Sequence, residues 1–176
     1  MNVCNEVVGK PKMNVSKGID MRSVQINKGY SLMELMITVA IVGLLASVAY
    51  PSYTNFIANS NRGAGQADLM ALAAAMERHK AAAFTYNGAA EGGGNTGSPA
   101  VFRDYSPSSE PEADKKYDLT IDSVSATGTS YVLRARPVSG TVQAGDGDLF
   151  YFSDGRKAWD QNGNGNLTSS EFCWAC

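Results

Sequence analysis

Glu34 is the one charged side chain in an otherwise apolar stretch that runs from Tyr30 to Tyr50. An ionisable group within a membrane costs about 2.5–3.5 kcal/mol on insertion scales, and such residues usually serve a function. A helix that acted only as a tether would have no use for this carboxylate. Glu34 is therefore the first candidate for a functional side chain.

Oxygen-bearing side chains recur at fixed intervals in the twelve residues from Asp160 to Glu171, at positions 1, 3, 5, 9 and 12. Gly165 takes position 6 and Leu167 position 8. This spacing matches the EF-hand calcium loop, in which position 7 ligates through its backbone carbonyl and a glutamate at position 12 supplies two oxygens. The candidate calcium ligands are Asp160, Asn162, Asn164, Asn166 and Glu171.

This loop has only two carboxylates, Asp160 and Glu171. Ca2+ would therefore bind weakly, with a dissociation constant in the millimolar range of extracellular modules. A strand is also expected before the loop, where an EF-hand has a helix. A tight Asn-Gly turn that needs no ion explains the same residues. We therefore expect no required cofactor, with Ca2+ as the single candidate ligand.

Cys173 and Cys176 form a C-x-x-C pair. Such a pair is a redox motif within a thioredoxin-like βαβ pattern, which is not present around it. We expect a structural disulfide instead, either within the pair or to a partner.

No pattern typical of an enzyme or of a nucleic-acid-binding protein is present. His79 is the single histidine and is expected on a helix surface, and no Ser/His/Asp, Cys/His or Walker arrangement occurs. The formal net charge is −2, which argues against nucleic-acid binding as the main role because phosphate contact needs clustered Lys and Arg. We expect neither enzyme activity nor a direct nucleic-acid site.

The 21 residues from Tyr30 to Tyr50 would span roughly the 30 Å hydrocarbon core of a bilayer as a helix. The basic side chains before this stretch should keep that end cytoplasmic: Lys10, Lys12, Lys17, Arg22 and Lys28. A plain uncleaved anchor is one alternative. A secretory signal peptide is another, although Ala46-Ser47-Val48 is a poor cleavage site.

The residues that open the stretch, Lys28-Gly29-Tyr30-Ser31-Leu32-Met33-Glu34-Leu35, resemble the class III signal of the type IV pilin family. The resemblance implies that prepilin peptidase cuts after Gly29 and that the new N-terminal residue, Tyr30, is N-methylated. It also implies that the Glu34 carboxylate pairs with the Tyr30 amine of a neighbouring subunit. Tyr30 departs from the usual Phe, which is a conservative aromatic change.

A cleaved leader of residues 1–29 is long for this family, and Met21 would give one of ordinary length. We therefore expect Met21 to be the true start, in which case Cys4 has no role. The mature chain would hold 10 basic and 15 acidic residues, a net charge of −5. Gly43 and Pro51 stand where pilins commonly carry Gly and Pro, and the resemblance implies that the helix between them extends in the filament.

Residues 30–51 are thus predicted as the membrane-spanning and filament-core helix, and residues 52–86 as its amphipathic half. Apolar side chains in the second half recur at spacings of three and four and should dock on a sheet: Phe56, Ile57, Leu69, Met70, Ala73, Met76 and Ala83. Residues 87–116 are rich in Gly, Ser, Pro and Asn without an apolar period, which predicts a long loop. This loop corresponds to the αβ-loop that forms subunit contacts in pilins, although a flexible connector is equally compatible with its composition.

Residues 117–176 are predicted as an antiparallel sheet that ends in the Asn/Gly loop and the C-x-x-C pair. The expected strands are 117–124, 130–137, 148–153 and 157–160. The expected fold class is α+β, a long N-terminal helix packed on a small antiparallel sheet, which is the type IV pilin fold. The head resembles PilE-like minor pilins, many of which carry a Cys where Asp146 and Asp148 stand here.

The resemblance implies a structural subunit of a type IV pilus, more specifically a minor pilin. Its partners would be other pilin subunits, prepilin peptidase, the inner-membrane assembly platform and, before assembly, membrane lipid. It would be a single-pass inner-membrane protein with a periplasmic head, and after assembly part of a cell-surface fimbrium. Roles in assembly, twitching motility, adhesion or DNA uptake stay open. A pseudopilin of type II secretion and a membrane-tethered binding domain that never polymerises are the alternatives.

Overall fold

The computed structural model describes residues 29–175. Residues 1–28, with Cys4 and Met21, and Cys176 lie outside the described residues. The chain forms two units, Met1–Ile41 and Val42–Cys176. One helix, α1, spans Leu32–Ala83 and includes both Gly43 and Pro51.

Five strands follow α1 and form one antiparallel sheet in which each strand pairs with its neighbours in sequence. They are β1 Tyr105–Ser106, β2 Tyr117–Val124, β3 Tyr131–Pro137, β4 Leu149–Phe152 and β5 Lys157–Trp159. β2 to β5 agree with the predicted strands to within one residue at each end. The α+β fold class is confirmed. β1 was not predicted, because a strand of two residues has no alternation to detect.

The core lies between α1 and one face of the sheet. Alternate residues of β2 and β3 point into it, as expected for strands with one buried face: Tyr117, Leu119, Ile121, Tyr131, Leu133 and Ala135. From α1, Leu69, Leu72 and Met76 contribute fully buried side chains at spacings of three and four. The amphipathic half of α1 is therefore what holds the sheet.

The predicted docking face of α1 was wrong in part. Phe56 is 69% exposed, Met70 is 43% exposed and Ala83 is also exposed. Met70 lies one residue, about 100° around the helix, from the buried Leu69. At Gly65 the core approaches the helix closely, since a Cβ there would lie 3.2 Å from the Tyr117 ring.

The segment 87–116 contributes to the core at several points. Ala89, Ala90 and Tyr105 are buried, and Gly97 exchanges two backbone hydrogen bonds of 2.9 Å with Ile121 of β2. The segment also holds β1, which pairs with β2. It is therefore a packed connection with an exposed part, rather than a surface loop throughout.

Candidate functional site

Glu34 lies in the first turn of α1, three residues after the residue that caps the helix. The Ser31 hydroxyl accepts a hydrogen bond from the Glu34 N–H at 3.2 Å, and the Ser31 carbonyl accepts one from the Leu35 N–H at 3.1 Å. A carboxylate in this turn interacts favourably with the helix dipole. None of the salt bridges within residues 29–175 involves Glu34, so its charge remains available to another molecule.

The first part of α1 exposes its apolar side chains on every side. Gly29 and Tyr30 precede the helix, and Tyr30 is 81% exposed. The helix is long and apolar enough to cross a membrane, and none of its most apolar stretch is buried. An exposed apolar surface of this extent requires lipid or protein to cover it. The large exposed side chains are Leu32, Met33, Leu35, Met36, Ile37, Val39, Ile41, Val42, Leu44, Leu45, Val48, Tyr50, Tyr53 and Phe56.

The loop after β5 is organised by the side-chain oxygens that the sequence predicted as calcium ligands. The two carboxylate oxygens of Asp160 accept hydrogen bonds from the N–H groups of Asn164 and Gly165, at 3.2 and 2.8 Å. Asn162 Oδ1 accepts from the Asn164 N–H at 3.0 Å, and Asn164 Oδ1 from the Asn166 N–H at 2.7 Å. These bonds from backbone N–H groups to side-chain oxygens curl the loop.

Glu171 closes the loop from its other end. One carboxylate oxygen accepts hydrogen bonds from the Thr168 N–H and hydroxyl at 2.9 and 2.7 Å, and the other accepts from Asn162 Nδ2 at 2.8 Å. The bonds to Thr168 lower the pKa of Glu171, so the carboxylate is charged at neutral pH. Oxygen donors of this kind fit a hard cation such as Ca2+. Within residues 29–175, however, no group of three or more His, Cys, Asp or Glu side chains could hold a metal ion.

A buried polar network, which the sequence did not predict, positions the start of this loop. Arg62 of α1 binds Asp146 in the connection between β3 and β4, with a 2.8 Å hydrogen bond from Nε and a second bond from the guanidinium. The Tyr117 hydroxyl donates to the same carboxylate at 2.6 Å, and Gln143 Nε2 donates to Tyr117 at 2.7 Å. Burial and the hydrogen bond to Asp146 raise the pKa of Tyr117, which keeps its donor proton.

The network reaches the loop through the residues after Asp146. The Trp159 indole N–H donates to the Asp146 carbonyl, and the Asp160 N–H donates to the Asp148 carbonyl at 2.9 Å. Gly147 has a φ of 81°, and a Cβ there would collide with the Asp160 carbonyl. Only glycine therefore allows the two segments to approach.

The C-terminal residues fold back over the core beside α1. The Trp174 indole N–H lies 3.2 and 3.1 Å from the carbonyls of Phe150 and Ala158, and Gln66 Nε2 of α1 donates to the Trp174 carbonyl at 3.3 Å. Cys173 is disulfide-bonded. Because Cys176 lies outside the described residues, its pairing with Cys173 stays a prediction.

The single histidine has a structural contact. His79 Nε2 lies 2.9 Å from the Asn87 carbonyl, and its side chain is half-buried. His79 therefore joins the end of α1 to the following segment. The sequence predicted a helix surface residue but not this contact.

Two family models match the chain. The model described as type IV minor pilin ComP, DNA uptake sequence receptor, matches residues 51–148. The model of the prokaryotic N-terminal methylation motif matches residues 25–50, which include Gly29, Tyr30 and Glu34. The resemblance found in the sequence is thereby confirmed.

Individual relatives match over a short segment only. The chain is 58% identical over 40 residues to the type IV major fimbrial protein FimA of Dichelobacter nodosus, covering 23% of this chain and 24% of the relative. It is 46% identical over 46 residues to the type IV major pilin protein PilA of Myxococcus xanthus (strain DK1622), covering 26% and 21%. The chain thus matches about a quarter of the length of these relatives. No solved structure matches it.

Proposed function

Because this chain belongs to the family of the type IV minor pilin ComP, we propose that it is a structural subunit of a type IV pilus, and specifically a minor pilin. The observation that carries the proposal is the exposed apolar part of α1 with Glu34 as its one charge. This segment is stable in lipid and then among other pilin helices, since both surroundings are apolar.

Processing precedes assembly in this proposal. Prepilin peptidase cuts after Gly29, and Tyr30 becomes the N-methylated first residue. The precursor crosses the inner membrane once with its head in the periplasm, and the assembly platform then moves the subunit into the surface filament. The irregular backbone at Gly29 and Tyr30 and the exposure of Tyr30 support access by the peptidase.

Glu34 directs register in the filament. Its carboxylate pairs with the Tyr30 amine of a neighbouring subunit, and removal of one member of a buried pair costs about 3–5 kcal/mol. Subunits that meet out of register would leave both charges unpaired. The lack of an ion pair to Glu34 within residues 29–175 supports this role.

Intact mass and N-terminal sequencing of the subunit from sheared filaments test the proposal. We expect a chain that begins at Tyr30 and carries one methyl group. An N-terminus other than Tyr30, or absence of the chain from filaments, would contradict it. Co-purification with type II secretion proteins instead of pilus proteins would identify a pseudopilin.

Reception of DNA is a second candidate function, favoured by the description of the matching family. One cation lies beside two aromatic rings near the end of the sheet: the Arg156 guanidinium, which is also paired with Asp154, is 4.8 Å from the Phe152 ring centre and 5.5 Å from that of Phe172. Cationic and aromatic groups together suit nucleic-acid strands. Labelled DNA fragments should bind with an affinity that falls as the salt concentration rises, and Arg156→Glu should bind them more weakly at a given salt concentration. Salt-independent or absent binding would exclude this function.

Calcium binding by Asp160, Asn162, Asn164, Asn166 and Glu171 is a further part of the proposal. The spacing of these oxygen-bearing side chains supports it, and the presence of only two carboxylates limits the affinity. Bound Ca2+ would join β5 to the C-terminal residues that cover the core. A structural disulfide between Cys173 and Cys176 would stabilise the same C-terminal segment.

A further inference from the structure

The connection between β3 and β4 carries an exposed apolar side chain on a segment without charge. We define the base loop as residues 138–145, which include no Asp, Glu, Lys or Arg. Val142 is 54% exposed, whereas the next residue, Gln143, is fully buried. The Thr141 hydroxyl donates to the Val138 carbonyl at 2.8 Å and accepts from the Gln143 N–H at 3.2 Å. These bonds fix the turn and keep Val142 outside the core.

A hydrogen bond fixes the base loop against α1 shortly after the apolar stretch ends. Gln143 Nε2 donates to the Ala58 carbonyl at 3.1 Å. Ala58 follows Tyr50, the last residue of the apolar stretch, by eight residues, which is about 12 Å along a helix axis. Both residues belong to the same unit as the sheet. The base loop therefore lies beside α1 only a short distance beyond the apolar stretch.

The helix remains uncharged well beyond the apolar stretch. The 27 residues from Leu35 to Asn61 include no charged side chain, and Arg62 is the next charge after Glu34. As a helix they cover about 40 Å, which is the thickness of a bilayer with its headgroups. No charge in this length keeps Ala58 out of the headgroup layer. A helix in this position also brings Glu34 towards the cytoplasmic headgroups, where its charge costs less than at the bilayer centre.

Exposed aromatic side chains lie at nearly the same level on the other side of α1. Tyr53 is 64% exposed and Phe56 is 69% exposed. Phe56 is two residues from Ala58, which places it about 160° around the helix from the residue that the base loop contacts. Aromatic rings at this level suit the boundary between headgroups and acyl chains. The helix thus has groups suited to a membrane interface on two opposite sides.

We propose that the base loop of the head contacts the periplasmic headgroup layer of the phospholipid bilayer before the subunit enters a filament. Val142 inserts at the boundary between headgroups and acyl chains, and Tyr53 and Phe56 do so on the opposite side of α1. The inference rests on the proposed function, because only a subunit that α1 anchors in the membrane brings the base loop to lipid. Contacts on both sides hold the helix at a defined depth.

Lipid is favoured over a protein partner by two features of this surface. It continues the exposed apolar surface of α1 that requires a bilayer. It also offers no charged group within residues 35–61 or 138–145 with which a protein partner could pair. The uncharged base loop therefore enters the headgroup layer without the cost of moving a charge out of water.

Fluorescence quenching in liposomes tests the contact. The full-length chain carries an environment-sensitive fluorescent amino acid in place of Val142. It is reconstituted at low density in vesicles of phosphatidylethanolamine and phosphatidylglycerol. Lipids brominated near the headgroup end of their acyl chains should quench this probe strongly. A water-soluble quencher present on both sides of the membrane should reach the probe poorly.

The control position is Thr127, which is exposed in the turn between β2 and β3. The neighbouring Gly128 carbonyl accepts from the Tyr86 N–H at 3.0 Å. This turn therefore lies beyond the end of α1 at Ala83, which is about 38 Å from Ala58 along the helix axis. The same probe at Thr127 should respond to the soluble quencher and not to the brominated lipids.

Two results would overturn the proposal. One is equal quenching of the two positions by the brominated lipids and by the soluble agent. The other is protection of position 142 that appears only at a high protein-to-lipid ratio, which would assign the base loop to a protein contact.

Substitutions separate the lipid contact from the fold. With the probe at the exposed Ala144, Val142→Asp should reduce quenching by the brominated lipids, because a carboxylate resists transfer out of water. Val142→Leu should retain the quenching or increase it. Because Val142 is exposed, both variants should keep the melting temperature of the protein. Unchanged quenching in Val142→Asp would contradict the inference.

The failure of this inference and that of the proposed function give different results. If the wild-type chain enters filaments while position 142 is as accessible to water as position 127, only this inference fails. If the chain is absent from both the membrane fraction and the filaments, the proposed function fails as well.

Discussion

Arg62 and Asp146, which are 84 residues apart in sequence, form a two-point ion pair between α1 and the connection from β3 to β4. The Arg62 guanidinium also lies 3.8 Å from the centre of the Trp159 ring of β5. Both side chains of the pair are largely buried, at 18% and 7% exposure. The pair thus joins α1 to two parts of the sheet at the level of the candidate calcium loop.

Asp146→Ala should destabilise the head by about 3 kcal/mol, because removal of one member of a buried pair leaves the other charge unpaired. The free energy of unfolding in urea measures this. Asp154→Ala is the matched control. The pair of Asp154 with Arg156 is exposed, so this substitution should change the free energy of unfolding far less than Asp146→Ala does. Equal losses in both variants would show that Asp146 has no special role.

The stability that Asp146 provides should be lost in acid. Burial raises the pKa of this carboxyl, but the hydrogen bonds from Arg62 and Tyr117 lower it by more. The net pKa therefore lies below the ordinary value of 3.8. A lowered folded-state pKa stabilises the fold above pH 3.8, and this contribution disappears as the pH falls through the folded-state value. The difference in urea midpoint between wild type and Asp146→Asn should therefore narrow below pH 3.8. A constant difference would contradict the assignment.

Asp68→Ala should cost about 1–3 kcal/mol, because the Ser106 and Ser108 hydroxyls and the Ser108 N–H lose their acceptor. Hydrogen exchange at the Ser108 amide should accelerate more than at amides of β3. The control is Asp114→Ala, an exposed carboxylate on the same connection. Uniform acceleration across the sheet would indicate general destabilisation instead of local release.

Glu34→Ala should leave membrane insertion intact and abolish incorporation into filaments, since the carboxylate that pairs with the neighbouring amine is gone. Fractionation of cells and immunoblotting of sheared filaments measure the two steps. Ser31→Ala removes the helix cap and keeps the charge, so it should enter filaments. Normal incorporation of Glu34→Ala would refute the proposed pairing.

Calcium should bind the wild-type chain in the millimolar range, as measured by isothermal titration. Trp159 and Trp174, the two tryptophans of the chain, flank the loop and should report binding by fluorescence. Glu171→Ala should abolish binding. Glu171→Gln distinguishes the effect of the carboxylate charge on binding from its effect on the loop conformation, because glutamine can still accept the hydrogen bonds from Thr168. Flat titrations for all three proteins would remove the site.

Much of the fold could be predicted because its signals are local. The period-2 alternation of Tyr117, Leu119 and Ile121 depends only on which face of the strand is buried, and it located β2 at both ends. The signal around Gly29 and Glu34 is a contiguous motif, and the family models recover it. The docking face of α1 was predicted less well, since apolar residues occur all round the helix and only the position of the sheet selects among them.

The sequence alone determined the apolar helix with its single carboxylate, strands β2 to β5 and the oxygen spacing of the last loop, because periodicity and short motifs arise from residues close together in the chain. Tertiary structure alone decided that Arg62 meets Asp146, that Asp68 holds Ser106 and Ser108, and that Phe84 remains exposed. Polar side chains carry no periodic signal of their partners, and only the packing of α1 on the sheet brings residues so distant in sequence within hydrogen-bonding distance.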